Sequence, residues 1–144
     1  MLPLHEQATA RVGMTFLQMV EKVRYEGAYP TRQRAEDVIH AVLAALGRQL
    51  TGDERVDLAA RLPAEFSSDL TRQMTEREPL TGWGFVKDLA ARTGGTPATA
   101  RWDAGAVLAV TGQLAGPGLL DRIITQLPPG YALLFGRVEL IQAA

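Results

Sequence analysis

Displaced by 65 positions, the sequence lands on itself. Thr31 falls on Thr96, Ala35 on Ala100, the run Ala41-Val42-Leu43-Ala44 on Ala106-Val107-Leu108-Ala109, and Gly47 on Gly112. Further along, Leu58 meets Ile123, Leu62-Pro63 meets Leu127-Pro128 and Phe66 meets Tyr131. Upstream, Phe16 and Val20 match Phe85 and Leu89 at a displacement four residues longer, so the first connecting loop is shorter in the second copy. Such a self-match marks a repeated supersecondary unit that buries its apolar faces against its neighbour. Chance similarity between two helices rich in alanine and leucine would not also reproduce a Leu-Pro pair and a helix-starting threonine.

The unit reads as helix, loop, long helix, tight turn, helix, short helix. Phe16, Met19, Val20 and Val23 recur at i, i+3, i+4 and i+7, one stripe of an amphipathic helix. Gly27 and Pro30 interrupt that pattern, and Thr31 is placed to cap the next helix. In the second copy Thr96 is followed by Pro97, which suits the first helical position because its missing N–H costs nothing there. Ala35, Ile39, Val42, Leu43, Leu46 and Leu50 fit a period of about 3.6 and conflict with the period of two that a strand needs. Thr51-Gly52-Asp53-Glu54 predicts a capping box, with a counterpart helix start at Gly116-Pro117. Pro63 and Pro128 each end a helix and open a short one.

At 144 residues the chain is long enough for a single core, since folding at this size removes roughly 70% of the unfolded surface from water. Apolar residues make up 47% and charged residues 22%, an ordinary globular balance. Fifteen basic and sixteen acidic side chains leave a formal net charge of −1, so no overall field gathers nucleic acid or acidic lipid. Neither half hides an imbalance: residues 1–78 carry ten basic and twelve acidic groups, and residues 79–144 carry five and four. With no cysteine there are no disulfides, thiolate nucleophiles or thiolate metal sites, which fits a reducing cytoplasm. The start Met1-Leu2-Pro3-Leu4-His5-Glu6 lacks the basic region and apolar run of an export signal. The most apolar stretch, Ala104 to Leu120, is interrupted by Gly105, Gly112, Gly116, Pro117 and Gly118 and falls short of a membrane span.

The run Arg34-Ala35-Glu36-Asp37-Val38-Ile39-His40-Ala41-Val42-Leu43-Ala44-Ala45-Leu46, followed by Leu50-Thr51-Gly52-Asp53-Glu54 and closed by Asp57-Leu58-Ala59-Ala60-Arg61-Leu62-Pro63, resembles the bacterial family called domain of unknown function 2267. The second copy, closing with Gln126-Leu127-Pro128-Pro129, is similar to the same pattern, and the resemblance spans roughly residues 14 to 138. It implies a prokaryotic, all-helical, duplicated protein and carries no assigned reaction. The chain departs from the pattern at Gly105, Thr111, Ala115 and Gly118, which is expected to weaken the helices of the second copy.

The chemistry-bearing residues are sparse. The two histidines, His5 and His40, have no partner at metal-ligand spacing. His40 stands one turn after Glu36 beside an apolar stripe and is expected to pair with that carboxylate, and His5 is expected to be solvated. Glu54, Asp57 and Arg61 share one side of a helix, where capping and an i,i+4 ion pair explain them more simply than acid–base work does. Gly94-Gly95-Thr96 reads as a loop and cap; it has neither the lysine nor the spacing of a phosphate loop. Arg24, Arg32 and Arg34 read as a solvated face. Trp83, Phe85 and Trp102 stand near the start of the second copy, and Trp102 aligns with Asp37, a position expected to face outward. An exposed tryptophan there would mark a contact surface.

The expected architecture is all-α: two tandem copies of a four-helix unit packed into one compact bundle. Residues 1–13 precede the first repeat at 14–78, residues 79–84 link it to the second at 85–138, and 139–144 form a tail. The expected function is a non-enzymatic protein-interaction or scaffolding module, possible partners being another protein or a second copy, with Trp83, Phe85 and Trp102 as its contact residues. His40, Glu54, Asp57 and Arg61 are the weaker polar candidates. No catalytic residue, cofactor, metal, nucleic acid or membrane is expected, and the expected location is the cytoplasm. The alternative is a small-molecule-binding protein or enzyme using an apolar cavity between the repeats.

Overall fold

The computed structural model describes residues 14–137, and all regular structure among them is helical. The helices are α1 Phe16–Gly27, α2 Arg32–Gly47, α3 Gly52–Arg61, α4 Ala64–Thr71, α5 Gly82–Thr93, α6 Pro97–Gln126 and α7 Tyr131–Leu134. His5, the N-terminal extension and all of the expected tail lie outside the described residues.

Threonines start four of these helices. The hydroxyls of Thr15, Thr31, Thr81 and Thr96 each accept a bond from the backbone N–H three residues on, satisfying a donor the helix itself leaves open. Thr51 behaves differently. The expected capping box with Glu54 is absent, because Thr51 makes no side-chain cap bond. Its backbone N–H donates instead to Gln126 Oε1 at 2.8 Å, and Glu54 turns toward Gln126 and Arg122. A side chain from another helix has taken over the cap. α5 begins at Gly82, so Trp83 and Gly84 belong to that helix and not to the link before it.

The core forms where α2 meets the first stretch of α6. Ile39, Val42, Leu43 and Leu46 from α2 and Ala104, Val107, Leu108 and Val110 from α6 are fully buried. α1 packs on both of these helices, α4 lies against α2, and α5 lies against α6 and α2. The helix continues through Gly105 and Thr111, positions expected to weaken it. Thr111 is buried, and its hydroxyl donates to the Val107 carbonyl at 2.8 Å within the same helix.

Two aromatic pairs join helices at positions that the sequence displacement relates. Phe16 stacks on Phe66 with ring centres 5.1 Å apart, and Phe85 meets Tyr131 edge-on at 5.5 Å. The glycines differ more: a Cβ at Gly47 would stand 2.6 Å from the Leu70 carbonyl oxygen, whereas one at Gly112 would meet the Leu120 side chain at 3.2 Å and the Phe135 ring at 3.5 Å. The exchange between halves is reciprocal as well. Gln126 reaches the backbone of Thr51, while Arg61 donates to the carbonyls of Ala115 at 2.6 Å and Leu114 at 3.4 Å. Between these two contacts Arg122 bridges to Asp57, 65 positions earlier, at 3.1 Å.

α6 breaks at Gly116, whose φ of 82° and ψ of 160° belong to a region open essentially to glycine. Pro117 makes the break necessary, since its ring would clash with the carbonyl four residues earlier in a continuous helix. Arg61 then satisfies the carbonyls freed there. Gly118, inside the second stretch of the helix, has nothing within 4 Å of where a Cβ would stand. Gly116→Ala is therefore expected to lower the unfolding free energy by about 1–3 kcal/mol, whereas Gly118→Ala raises it by about 0.5–1 kcal/mol. Urea unfolding of the two variants checks the contrast in sign.

Candidate functional site

The residues singled out in the sequence separate into three places. Phe85 is buried at 1% exposure against Tyr131, so it is a core residue and offers no contact surface. Trp83, in the first turn of α5, is 59% exposed with the Lys87 ammonium 5.9 Å from its ring centre. Trp102, in α6, is 57% exposed, and its indole N–H donates to the Gly27 carbonyl at 2.9 Å. Among the described residues neither tryptophan stacks on another aromatic ring.

The setting of Trp102 follows from how α1 ends. Ala28 takes the left-handed conformation with φ of 54°, and the backbone N–H of Tyr29 returns to the Arg24 carbonyl. That turn leaves the Gly27 carbonyl free for the indole, and it carries Tyr29 inward, where its hydroxyl donates to Asp103 Oδ1 at 2.6 Å. Arg34 approaches the other oxygen of Asp103 at 3.9 Å. Two consecutive residues of α6 thus clasp the α1–α2 loop, Trp102 through a backbone carbonyl and Asp103 through a phenol.

Beside this clasp a pocket of about 200 Å³ opens between α2, α5 and α6. Val38, Ala41, Val42 and Leu89 give it apolar walls, and Arg34, Asp37, Thr93, Thr99 and Asp103 bring polar groups to it. Sequence reasoning missed Tyr29 and Asp103. A lone tyrosine between Gly27 and Pro30 was the available hint, because an aromatic residue caught between two breakers has reason to fold inward.

The weaker polar candidates lie elsewhere. His40 Nε2 is 3.6 Å from Glu36, the neighbour expected for it. Its Nδ1 is 2.6 Å from Asp69 on α4, a nearly buried carboxylate that spacing alone could not connect to it, and its ring lies against Phe66. Glu54 and Asp57 both pair with Arg122, so the expected i,i+4 pairing of Asp57 with Arg61 is replaced by a bridge between helices. The hydrogen bond to Asp57 holds the Arg122 guanidinium above its ordinary range. Arg61 serves the break in α6. Arg24 and Arg32 both bind Glu21, whose carboxyl they hold below its usual range, Arg32 more strongly. Gly94 ends α5 in the left-handed conformation, and Thr96 and Thr99 cap each other at the start of α6. No group of three or more metal-binding side chains converges among the described residues.

Burial first, and then the bond to Asp103, push the Tyr29 phenol above its ordinary value; burial does the same to Tyr131. The folded protein therefore keeps these protons at a pH where the unfolded chain releases them. Their contribution to stability is complete below about pH 10 and is lost as pH rises above it. Tyr29→Phe is expected to cost about 1–2 kcal/mol at neutral pH and to flatten the decline of the urea midpoint above about pH 10. An unchanged decline in that variant would separate Tyr29 from the alkaline loss.

No helix among the described residues is long and apolar enough to cross a membrane. No curated protein matches the chain. A family model described as an uncharacterized conserved protein (DUF2267) matches residues 16–134, from the first residue of α1 to the last of α7. With nearly the whole described length covered by that match, the chain belongs to the DUF2267 family.

Proposed function

We propose that the protein is a non-enzymatic interaction module, built from two copies of one helical unit, that engages a protein partner or a second copy of itself through the face presenting Trp102. The observation that carries this reading is the exposed indole whose N–H is already satisfied by Gly27. A tryptophan held in one orientation presents its apolar face without the usual entropy cost of ordering it on binding. Tryptophan is also among the residues that dominate binding energy at interfaces. The absence of cysteine supports a reducing bacterial cytoplasm as its location. Trp83 would extend the surface only if the partner also reaches the start of α5.

A second reading, small-molecule binding, draws on the pocket between α2, α5 and α6, where Arg34, Asp103 and Thr99 stand over an apolar floor. Its volume of about 200 Å³ argues for a small ligand at most, since sites for drug-sized molecules run to roughly 300–1,000 Å³. The interaction reading therefore leads.

Sedimentation of the full chain over a range of concentrations, with affinity capture from its host, tests it. Trp102→Ala is expected to weaken association by roughly 30-fold or more, the effect of losing an interface anchor worth about 2 kcal/mol. Trp102→Phe, which keeps an apolar ring but loses the bond to Gly27, is expected to fall between the two. If Trp102→Ala leaves both sedimentation and the captured proteins unchanged, this face is not the interface.

A further inference from the structure

Within α2 alone, Glu36 is simply an ion-pair partner for His40; α4 supplies the group that changes what the ring can do. Asp69 faces His40 Nδ1 at 2.6 Å, and Arg72 stands 3.8 Å from its other oxygen. An ionised carboxylate can only accept, so the proton of this bond belongs to Nδ1. In the neutral ring Nε2 then carries a bare lone pair. It lies 3.6 Å from Glu36 Oε2, which is itself an acceptor. Two acceptors at that distance are reconciled by something placed between them: a second ring proton, a water that donates to both, or a metal ion.

The geometry suits a metal. Zinc holds imidazole nitrogen and carboxylate oxygen at about 2.0–2.1 Å, and at those lengths donors 3.6 Å apart subtend roughly 120° at the ion, near the tetrahedral angle it prefers. A carboxylate on the other ring nitrogen is the arrangement that orients a metal-binding histidine and makes it a better donor. Phe66, itself fully buried, backs the ring with centres 4.9 Å apart, and the imidazole stays partly exposed, so an ion can reach it. Asp69 serves the ring from its other nitrogen. Two donors and not three therefore meet at one point, in keeping with the absence of any larger cluster among the described residues.

The helical unit does not require this trio. At the positions 65 residues on stand Arg101, Gly105 and Leu134, so the donor, the ring and its orienting carboxylate are absent together there, while α6 and α7 still pack. We infer that Glu36 and His40 hold one divalent ion of the zinc type through Oε2 and Nε2, with Asp69 as a positioning residue and water in the remaining coordination places. The inference does not depend on the role of Trp102, so either can fail alone.

The full chain carrying His5→Gln leaves His40 as its only imidazole and is the parent for the test. Zinc chloride is titrated into it calorimetrically in a buffer that does not bind metal, and cobalt(II) is added in parallel because its visible bands report coordination. One ion per chain is expected, with the cobalt bands of a four-coordinate centre. In that parent His40→Gln is expected to remove the binding, and Glu36→Gln and Asp69→Asn each to weaken it roughly tenfold or more. Asp37→Asn, on the same helix but paired with Gln33, leaves it unchanged. Circular dichroism verifies the helix content of each variant. Because a change at Asp69 also touches the packing of α4, nitrogen-15 NMR of the parent ring gives a second reading: zinc shifts the Nε2 resonance and leaves Nδ1 protonated. Three results overturn the inference: no saturable zinc binding, binding that survives His40→Gln or Glu36→Gln, or a zinc-induced shift at Nδ1 alone. Each would leave Glu36 and Asp69 as ion-pair partners of the ring and nothing more.

Discussion

The close meeting of α2 with the first stretch of α6 is the contact on which the rest of the structure depends. Both helices are rich in alanine, and Ala35, Ala100, Ala104 and Ala115 are buried. The aliphatic residues between them, Ile39, Val42 and Leu43 on one side and Val107 and Leu108 on the other, then have a common interior to fill. Neither half could hide these stripes alone, because a body of half this length buries a smaller share of its surface. α1 and α5 close the sides of that pair, and their phenylalanines reach Phe66 and Tyr131 at its ends.

Polar contacts set how the halves lie on each other more than how strongly they hold. Arg122 between Glu54 and Asp57 is half exposed, and an exposed ion pair is worth little in water. Its value lies in geometry, since it fixes α3 against the end of α6 between two backbone contacts, Gln126 on Thr51 and Arg61 on Ala115. Tyr29 and Asp103 act differently, because their bond is largely shielded and joins a loop of the first half to a helix of the second. Trp102, the next residue along from that bond, is therefore held on a firm base while its ring stays open to solvent.

The helices were legible because their signals are local. Threonine caps, proline breaks and a 3.6-residue apolar period all act within a few residues, and they locate α1, α2, α3, α4 and the start of α6, whereas α5 is legible only through the match of Phe85 and Leu89 to the first copy. The capping box at Thr51 failed because a glutamine 75 positions away competes for the same backbone N–H. Proximity in sequence groups Phe85 with the tryptophans, yet a helix places residues two apart on different faces, so Phe85 turns into the core and Trp83 turns out. The partners of the candidate side chains were not legible at all. Asp69 for His40, Arg122 for Asp57 and Asp103 for Tyr29 depend on how helices cross, which no spacing within one helix reveals.

The central claim is that both halves share one interior, and native-state hydrogen exchange tests it most directly. If they do, the amides of Ile39, Val42 and Leu43 and those of Val107, Leu108 and Val110 exchange only through global unfolding. Both groups then report one free energy, with the same dependence on added denaturant. Exchange of either group through a cheaper opening that leaves the other protected would mean two bodies side by side, and would contradict the account.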